Sequence, residues 1–370
     1  MEAGCEAILW KDPKTIEFLY GPVMGHLSSC ARGAICAAPG RDLIVADYSA
    51  VEARDVFWLA KDAAGLEAFR ASDAGEGPEV YCIMAEQIFG YPVDPSMEKE
   101  RFVGKQTILG AGYGMGPDKY LDTCLKYGIR LPDDICKKAI GTYRDVHDPV
   151  KTMWAEQEAG AKLAVREKGR VITVGRVQWA VRGRFLHCKL PSGRLLSYYK
   201  PMLSTMLNFR FKVNKGDRLG TFSCNQKIRS SGSEGQAHKA ARHRAEMVCK
   251  EMHWELTEDR PFVREQIVLR FYGQDSKTKK WKIHETYGGK LVENITQAVA
   301  RDQLADSMVR MDAGGVYMML LSVHDETVAE VDEGAGDLKE FEREMAVCSD
   351  WCADAPLVAK GWRGKRYRKA

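Results

Sequence analysis

Residues 42–54, "DLIVADYSAVEAR", begin with an apolar run, Leu43 to Ala46, that ends on the acid Asp47 and gives way to a helical pattern continuing through "DVFWLAKD". Asp47 therefore sits at the C-terminal end of a strand. Far down the chain, residues 318–331, "MMLLSVHDETVAEV", set His324, Asp325 and Glu326 between two apolar runs, the pattern of a β-hairpin with a polar turn. Adjacent acids are costly to bury unpaired, so this turn is expected to face solvent and cations. Taken alone, "HDE" reads as a charged turn. An HD-type hydrolase would need its histidine and aspartate on helices beside further histidines, and the strand context opposes that. Two strand-end aspartates brought together from distant sequence can bridge two magnesium ions about 3.5 to 4 Å apart, an arrangement suited to in-line phosphoryl transfer.

Residues 95–116, "PSMEKERFVGKQTILGAGYGMG", predict a long helix with Ser96 as N-cap, Glu98 and Glu100 in its first turn and glycines at its end. Arg101, Lys105, Leu109 and Tyr113 follow one another at four-residue intervals and form one slowly drifting stripe. Two cations and an aromatic on one face suit a triphosphate lying along the helix with a base at its far end. A solvated cationic face over a packed tyrosine gives the same pattern.

Around these elements, the glycine-rich "SDAGEGPEV" precedes a helix "YCIMAEQIFG" closed by Gly90, and further helices run to about Arg166. From Gly169 the pattern turns to short strands with Gly and Pro turns, a β-rich insert. Residues 214–259 are the least legible, and "RSSGSEG" within them reads as flexible. "YGGKLVENITQAVARDQLADSMVRM" predicts a helix. The expected divisions are 1–75, an N-terminal segment carrying Asp47; 76–175, a mainly helical segment; 176–287, a β-rich and basic insert; and 288–370, a C-terminal segment carrying Asp325.

With 370 residues, 45% of them hydrophobic, the chain can bury several packed subdomains, and a net charge of +4 decides little about partners. The cations cluster: Lys212, Lys215, Arg218, Lys227, Arg229, Lys239, Arg242 and Arg244 in one run, and Arg363, Lys365, Arg366, Arg368 and Lys369 in the tail. Solvated surface and phosphate contact are both open for them. The 11 cysteines form no CxxC pair, which points to reduced thiols and away from zinc. No apolar run is long enough to cross a bilayer and no signal peptide is legible, so a cytoplasmic, membrane-free protein is expected.

Taken in order, "DYSAVEAR", "RFVGKQTILGAGYGMG" and "SVHDE" resemble motifs A, B and C of DNA polymerase I-like (family A) polymerases. The stretches "LSSCARGAICAAPGRDLIVADYS", "LPSGRLLSYYKP", "YGGKLVENITQAVARD" and "GWRGKRYRK" look most like the bacteriophage branch. The resemblance implies an α/β (α+β) palm, an antiparallel sheet backed by helices, with a largely helical fingers subdomain. It implies template-directed DNA synthesis by two-metal nucleotidyl transfer with two Mg2+ ions, acting on primer-template DNA and dNTPs. Asp47 and Asp325 would bind metal with the Tyr48 carbonyl, and Glu326 would support the site. Glu52 matches the gate against a ribose 2′-hydroxyl, Arg101 and Lys105 the triphosphate grips, and Lys105 the proton donor to pyrophosphate. Leu109 and Tyr113 would line the nucleotide site, and Arg54, Gln297 and His324 would face DNA.

Departures from the family pattern are Leu109 in place of an aromatic, Ala50 in place of a glutamine and Tyr81 in place of a phosphate-holding histidine. The family's proofreading and thumb domains precede motif A, and only 46 residues lie before Asp47, so neither is expected here and a separate thumb or exonuclease polypeptide becomes a candidate partner. The rival readings are a single-subunit RNA polymerase, opposed by Glu52, and a non-catalytic DNA-binding remnant, opposed by intact Asp47, Lys105 and Asp325.

Overall fold

A computed structural model describes residues 2–216, 219–226, 234–257 and 261–368. It is a mixed fold of helices and antiparallel sheet, as the motifs imply. The chain divides into two compact units, Met1–Trp58 with Gln297–Ala370, and Leu59–Thr296.

The first unit is organised by a four-stranded sheet in the order Met318–Val323, Glu326–Asp332, Arg41–Tyr48, Ala359–Gly364, with every neighbouring pair antiparallel. The apolar run 43–46 lies in one of the two inner strands, flanked on both sides, which is why all four of its residues are buried. Alternate residues serve opposite faces. Leu43 and Val45 join Val328, Trp362 and Tyr367 in one core, whereas Tyr48 turns the other way and donates its hydroxyl to the Met345 carbonyl at 2.8 Å. Met345 belongs to the helix Leu338–Ala346, capped by Asp337, whose carboxylate accepts from the Glu340 amide.

The tail cations are bound within this unit. Arg363 and Lys365 both pair with Asp42, at 2.9 and 2.8 Å, Arg366 donates to the Gly33 carbonyl, and Arg368 lies 5.1 Å over Trp362. Arg363 clamps the sheet's last strand to its neighbour, and Lys365 holds the chain just beyond it; Lys369 lies outside the described residues.

The second unit begins with six helices between Ala63 and Arg166 and continues into a sheet. Helix Glu98–Ala111 packs on Val80–Phe89, and Gly104 is the point of closest approach: a Cβ there would collide with the Tyr81 carbonyl. Ser96 is not its N-cap. Its hydroxyl and amide instead go to Asp94, at 2.5 and 2.8 Å, because an Asx turn outcompetes the cap, and the helix starts at Glu98. The helix stops at Ala111, so Tyr113 lies in the turn beyond it.

In the sheet, the strands run in the order Ile172–Val174, Val177–Arg182, Phe185–Lys189, Leu195–Asn214, Phe262–Gln274, Trp281–Thr286. The expected short strands include one of 20 residues, Leu195–Asn214, whose far half also pairs with Leu219–Gln226. One face packs on helix Asp148–Arg166, where Trp179 donates to Gln157 at 2.8 Å. The illegible 214–259 stretch holds the helix Glu234–Met252, which buries Ala237, Ala241 and Ala245 against Phe209 and Phe211. Most of "RSSGSEG" lies outside the described residues, as do Arg218, Lys227 and Arg229. Lys215 is no open phosphate contact: its side chain is 6% exposed, 4.5 Å over Trp254 and 3.7 Å from Asp118.

Candidate active site: an acid-bearing sheet and a cationic helix

In the first unit the ladder pairs Asp47 with Glu326, placing both side chains on the same face, and the two-residue turn His324–Asp325 joins the hairpin strands. The Tyr48 amide donates to the Asp325 carbonyl at 3.2 Å, which ties this turn to the strand carrying Asp47. His324 adopts φ +57, the left-handed conformation a tight hairpin turn asks of its first central residue, and it is exposed. Its backbone alone is enough to explain where the chain reverses.

The three acids are unequal. Asp47 and Asp325 are partly exposed, and Glu326 is buried. Burial pushes the Glu326 carboxyl above its ordinary 4.5, Tyr367 and Arg32 oppose this, and the negative charges of Asp47 and Asp325 add to it. The Tyr367 hydroxyl donates to Glu326 and is itself pushed up to about 12, first by burial and then by that carboxylate. Arg32 lies 5.7 Å over the Tyr367 ring. Neither Tyr367 nor Arg32 was singled out from the sequence, although both belong to stretches that carry the phage resemblance.

Behind the site, Glu52 and Gln297 are neighbours, with the Gln297 amide 3.5 Å from the Glu52 carboxylate. Arg54 is placed differently from the sequence expectation. It is 3% exposed, and its guanidinium donates to the carbonyls of Ser49 and Pro356 at 2.8 and 2.9 Å, so it ties down the turn after Tyr48. Asp55, which drew no attention in the sequence, is fully buried; Gln303 donates to one of its oxygens at 2.9 Å, and the other has no hydrogen-bond partner.

In the second unit, Arg101, Lys105, Leu109 and Tyr113 are all partly exposed. Glu79 grips Arg101 with both oxygens, at 2.5 and 2.6 Å. The Tyr81 ring lies beneath both cations, 5.8 Å from the Arg101 Cζ and 5.8 Å from the Lys105 Nζ. Tyr113 is held by its backbone: a Cβ on Gly289 would collide with the Tyr113 carbonyl, so only glycine admits that approach. The neighbouring Gly112 carbonyl accepts from Trp154 at 2.8 Å.

As to metal, no group of three or more His, Cys, Asp or Glu among the described residues is disposed to hold an ion. Two carboxylates nevertheless suit magnesium, which keeps several waters and takes one or two carboxylates plus substrate phosphates. Burial is the main cause that raises the Glu326 carboxyl, and the charges of Asp47 and Asp325 add to it; a cation would offset only that smaller part.

By class, the first unit is a four-stranded antiparallel sheet with acids from two distant segments at one end. Among curated proteins the chain is similar to the DNA polymerase of Bacillus phage SP02, with 30% identity over 359 residues, covering 96% of this chain and 46% of the relative. The chain thus spans about half the length of that relative. The phage-polymerase resemblance drawn from the motifs is borne out over nearly the whole chain. A solved structure, the polymerase domain of Pol1 from M. smegmatis in complex with DNA primer-template and dNTP, aligns at a TM-score of 0.48 with 17% identity, covering 90% of this chain and 41% of that one. No family model matches the chain. Among the described residues, no helix is long and apolar enough to cross a membrane.

Proposed function

We propose that this chain carries the nucleotidyl-transfer core of a DNA-directed DNA polymerase, adding dNMP to a primer 3′-hydroxyl and releasing pyrophosphate. The observation that carries this reading is the acid constellation: Asp47 opposite Glu326 in the ladder, with Asp325 in the adjoining turn, in a chain 30% identical to a phage DNA polymerase over nearly its whole length.

Asp47 and Asp325, with the Tyr48 carbonyl, would hold two Mg2+ ions. Bound there, the ions would supply activation of the attacking hydroxyl and stabilisation of the leaving oxygen. Glu326 accepts from the Tyr367 hydroxyl, which favours its charged form, and adds to the anionic field. Arg101 and Lys105 bind the triphosphate, and Lys105 gives its proton to the departing pyrophosphate. As the primer oxygen bonds to the α-phosphorus, the α–β bridge breaks and the electron pair leaves on pyrophosphate. Glu52 crowds a ribose 2′-hydroxyl, Gln297 meets the nascent pair in the minor groove, His324 meets the primer terminus, and Leu109 and Tyr113 line the insertion site. The partners are primer-template DNA and dNTPs, and the workplace is the cytoplasm of the host cell.

Primer extension by the purified chain tests this. With Mg2+ the parent extends a primed template, and Asp47→Asn and Asp325→Asn each lose extension at least a thousandfold while keeping their circular dichroism. Extension at the parent rate by either folded variant sinks the assignment.

A further inference from the structure

The sheet of the second unit has a second face that nothing above employs. Strand alternation sends Trp179, Leu186, Cys188 and Tyr198 to the buried layer and leaves Phe185, Tyr199, Tyr272 and Trp281 on the opposite face. Phe185 pairs with Tyr199 and Tyr199 with Tyr272 in register, so the rings form a ladder across adjacent strands. Centroids lie 5.1 Å apart for Phe185 and Tyr199, and 6.0 Å for Tyr199 and Trp281. Trp281 is 64% exposed and Phe185 38%. Large aromatics in a row on an open sheet face forgo burial, which demands a reason beyond folding.

Cations are interleaved with the rings. A register shift between Tyr199 and Met202 breaks the strand's alternation, and Lys200, at φ +46, reaches over two rings, 5.3 Å from Tyr199 and 5.6 Å from Tyr272. Arg184 and Lys200 together hold the Tyr199 phenol below its ordinary value, Arg184 first through a hydrogen bond. Arg182, Lys279 and Lys280 are exposed at the adjoining turns and strand ends.

We propose that this face binds single-stranded DNA, with bases stacked on Tyr199, Trp281 and Phe185 and phosphates drawn to Arg184 and Lys200. Positive charge selects a polyanion, and open rings select one whose bases are unpaired and free to stack. A duplex keeps its bases stacked on one another, so it can use the cations but not the rings. The inference stands apart from the polymerase reading, because it requires only that this sheet fold.

The test is equilibrium binding of a fluorescent oligodeoxythymidylate about a dozen nucleotides long, within the usual site sizes for such platforms. Trp281→Ala and Tyr199→Ala are each expected to weaken binding roughly 5- to 100-fold, the usual cost of losing one stacked base. Arg184→Gln and Lys200→Gln should each flatten the plot of log affinity against log salt by about 0.7, the single-strand value per phosphate contact. A blunt duplex of equal length should compete at least tenfold less well than the oligonucleotide. The Asp325→Asn chain should bind the oligonucleotide as the parent does while failing to extend primers, which separates this proposal from the catalytic one. Unchanged affinity in folded Trp281→Ala and Tyr199→Ala, as expected of a face that docks a protein instead, overturns the proposal, and so does a duplex that competes equally.

Discussion

Glu79 holds Arg101 in a two-point grip, Nε to Oε2 at 2.5 Å and Nη2 to Oε1 at 2.6 Å, joining the residue before helix Val80–Phe89 to the first turn of the next helix, Glu98–Ala111. Such a fork fixes the guanidinium plane as well as its position. If Arg101 grips the triphosphate, Glu79 decides how it is presented. Glu79→Ala is expected to raise KM for dNTP about tenfold, roughly the 1.4 kcal/mol expected of a charge-assisted pair, with a smaller effect on kcat. Adding Glu79→Ala to Arg101→Ala should then cost little more, and steady-state kinetics of the four proteins measure that coupling. Fully additive losses would mean that Glu79 acts elsewhere.

The Gln297 amide meets the Glu52 carboxylate at 3.5 Å, a contact that restrains the side chain read as the sugar gate. Glu52→Ala should raise ribonucleotide incorporation by about tenfold or more, since each 1.4 kcal/mol of lost discrimination is a factor of ten. Gln297→Ala should produce a smaller shift in the same direction by freeing Glu52. Competition between dNTP and rNTP in a single extension reaction reads both, and an unchanged ratio for Glu52→Ala removes the gate role.

Gly104 lies where a Cβ would meet the Tyr81 carbonyl, so Gly104→Ala forces the helices Val80–Phe89 and Glu98–Ala111 apart despite alanine's better helix propensity. Overpacking of this kind costs about 1 to 3 kcal/mol, more where backbone must move. Thermal melting should show the loss. A variant with unchanged stability would mean the helices separate without cost.

The sheet strands 43–48 and 318–331 and the helix Glu98–Ala111 were legible because short apolar runs ending in acids, and a helix bounded by glycines, are local patterns. Asp47 and Asp325 stood out as acids at the ends of apolar runs, and only the motif resemblance gave them a role. Arg54 could not be placed, because an arginine after a motif reads as exposed until its carbonyl partners, Ser49 and Pro356, come from separate parts of the chain. Tyr367 and Arg32 flank Glu326 only through tertiary folding, across 41 residues in the case of Tyr367. The helix Glu234–Met252 was hidden because its buried stripe is alanine, which has little hydrophobic contrast, amid many basic residues. Ser96 lost its capping role to Asp94, a competition between two local hydrogen-bond patterns that sequence cannot decide.

Asp55 sits fully buried one turn beyond Glu52, with Gln303 on one oxygen and no hydrogen-bond partner on the other. Burial is the largest cause raising its pKa well above the ordinary 3.8; Gln303 opposes it, while Cys348 and Glu52 add to it. A carboxyl whose folded pKa is raised contributes stability in full below its unfolded value, and that contribution is lost as pH rises through the folded pKa. The parent should therefore lose stability with rising pH in the range above 3.8 on account of this residue. Asp55→Asn keeps an acceptor for Gln303 and has no charge to bury, so it should remove that part of the pH dependence and melt higher than the parent at neutral and alkaline pH. Below the ordinary carboxylate range the two proteins should melt together. Because Asp55 neither borders Asp325 in the ladder nor reaches the hairpin turn, primer extension by Asp55→Asn should stay near the parent level. Melting curves for both proteins across pH 4 to 9 decide the point: a gap in stability that fails to widen as pH rises would show that Asp55 is charged in the fold and that some further group neutralises it.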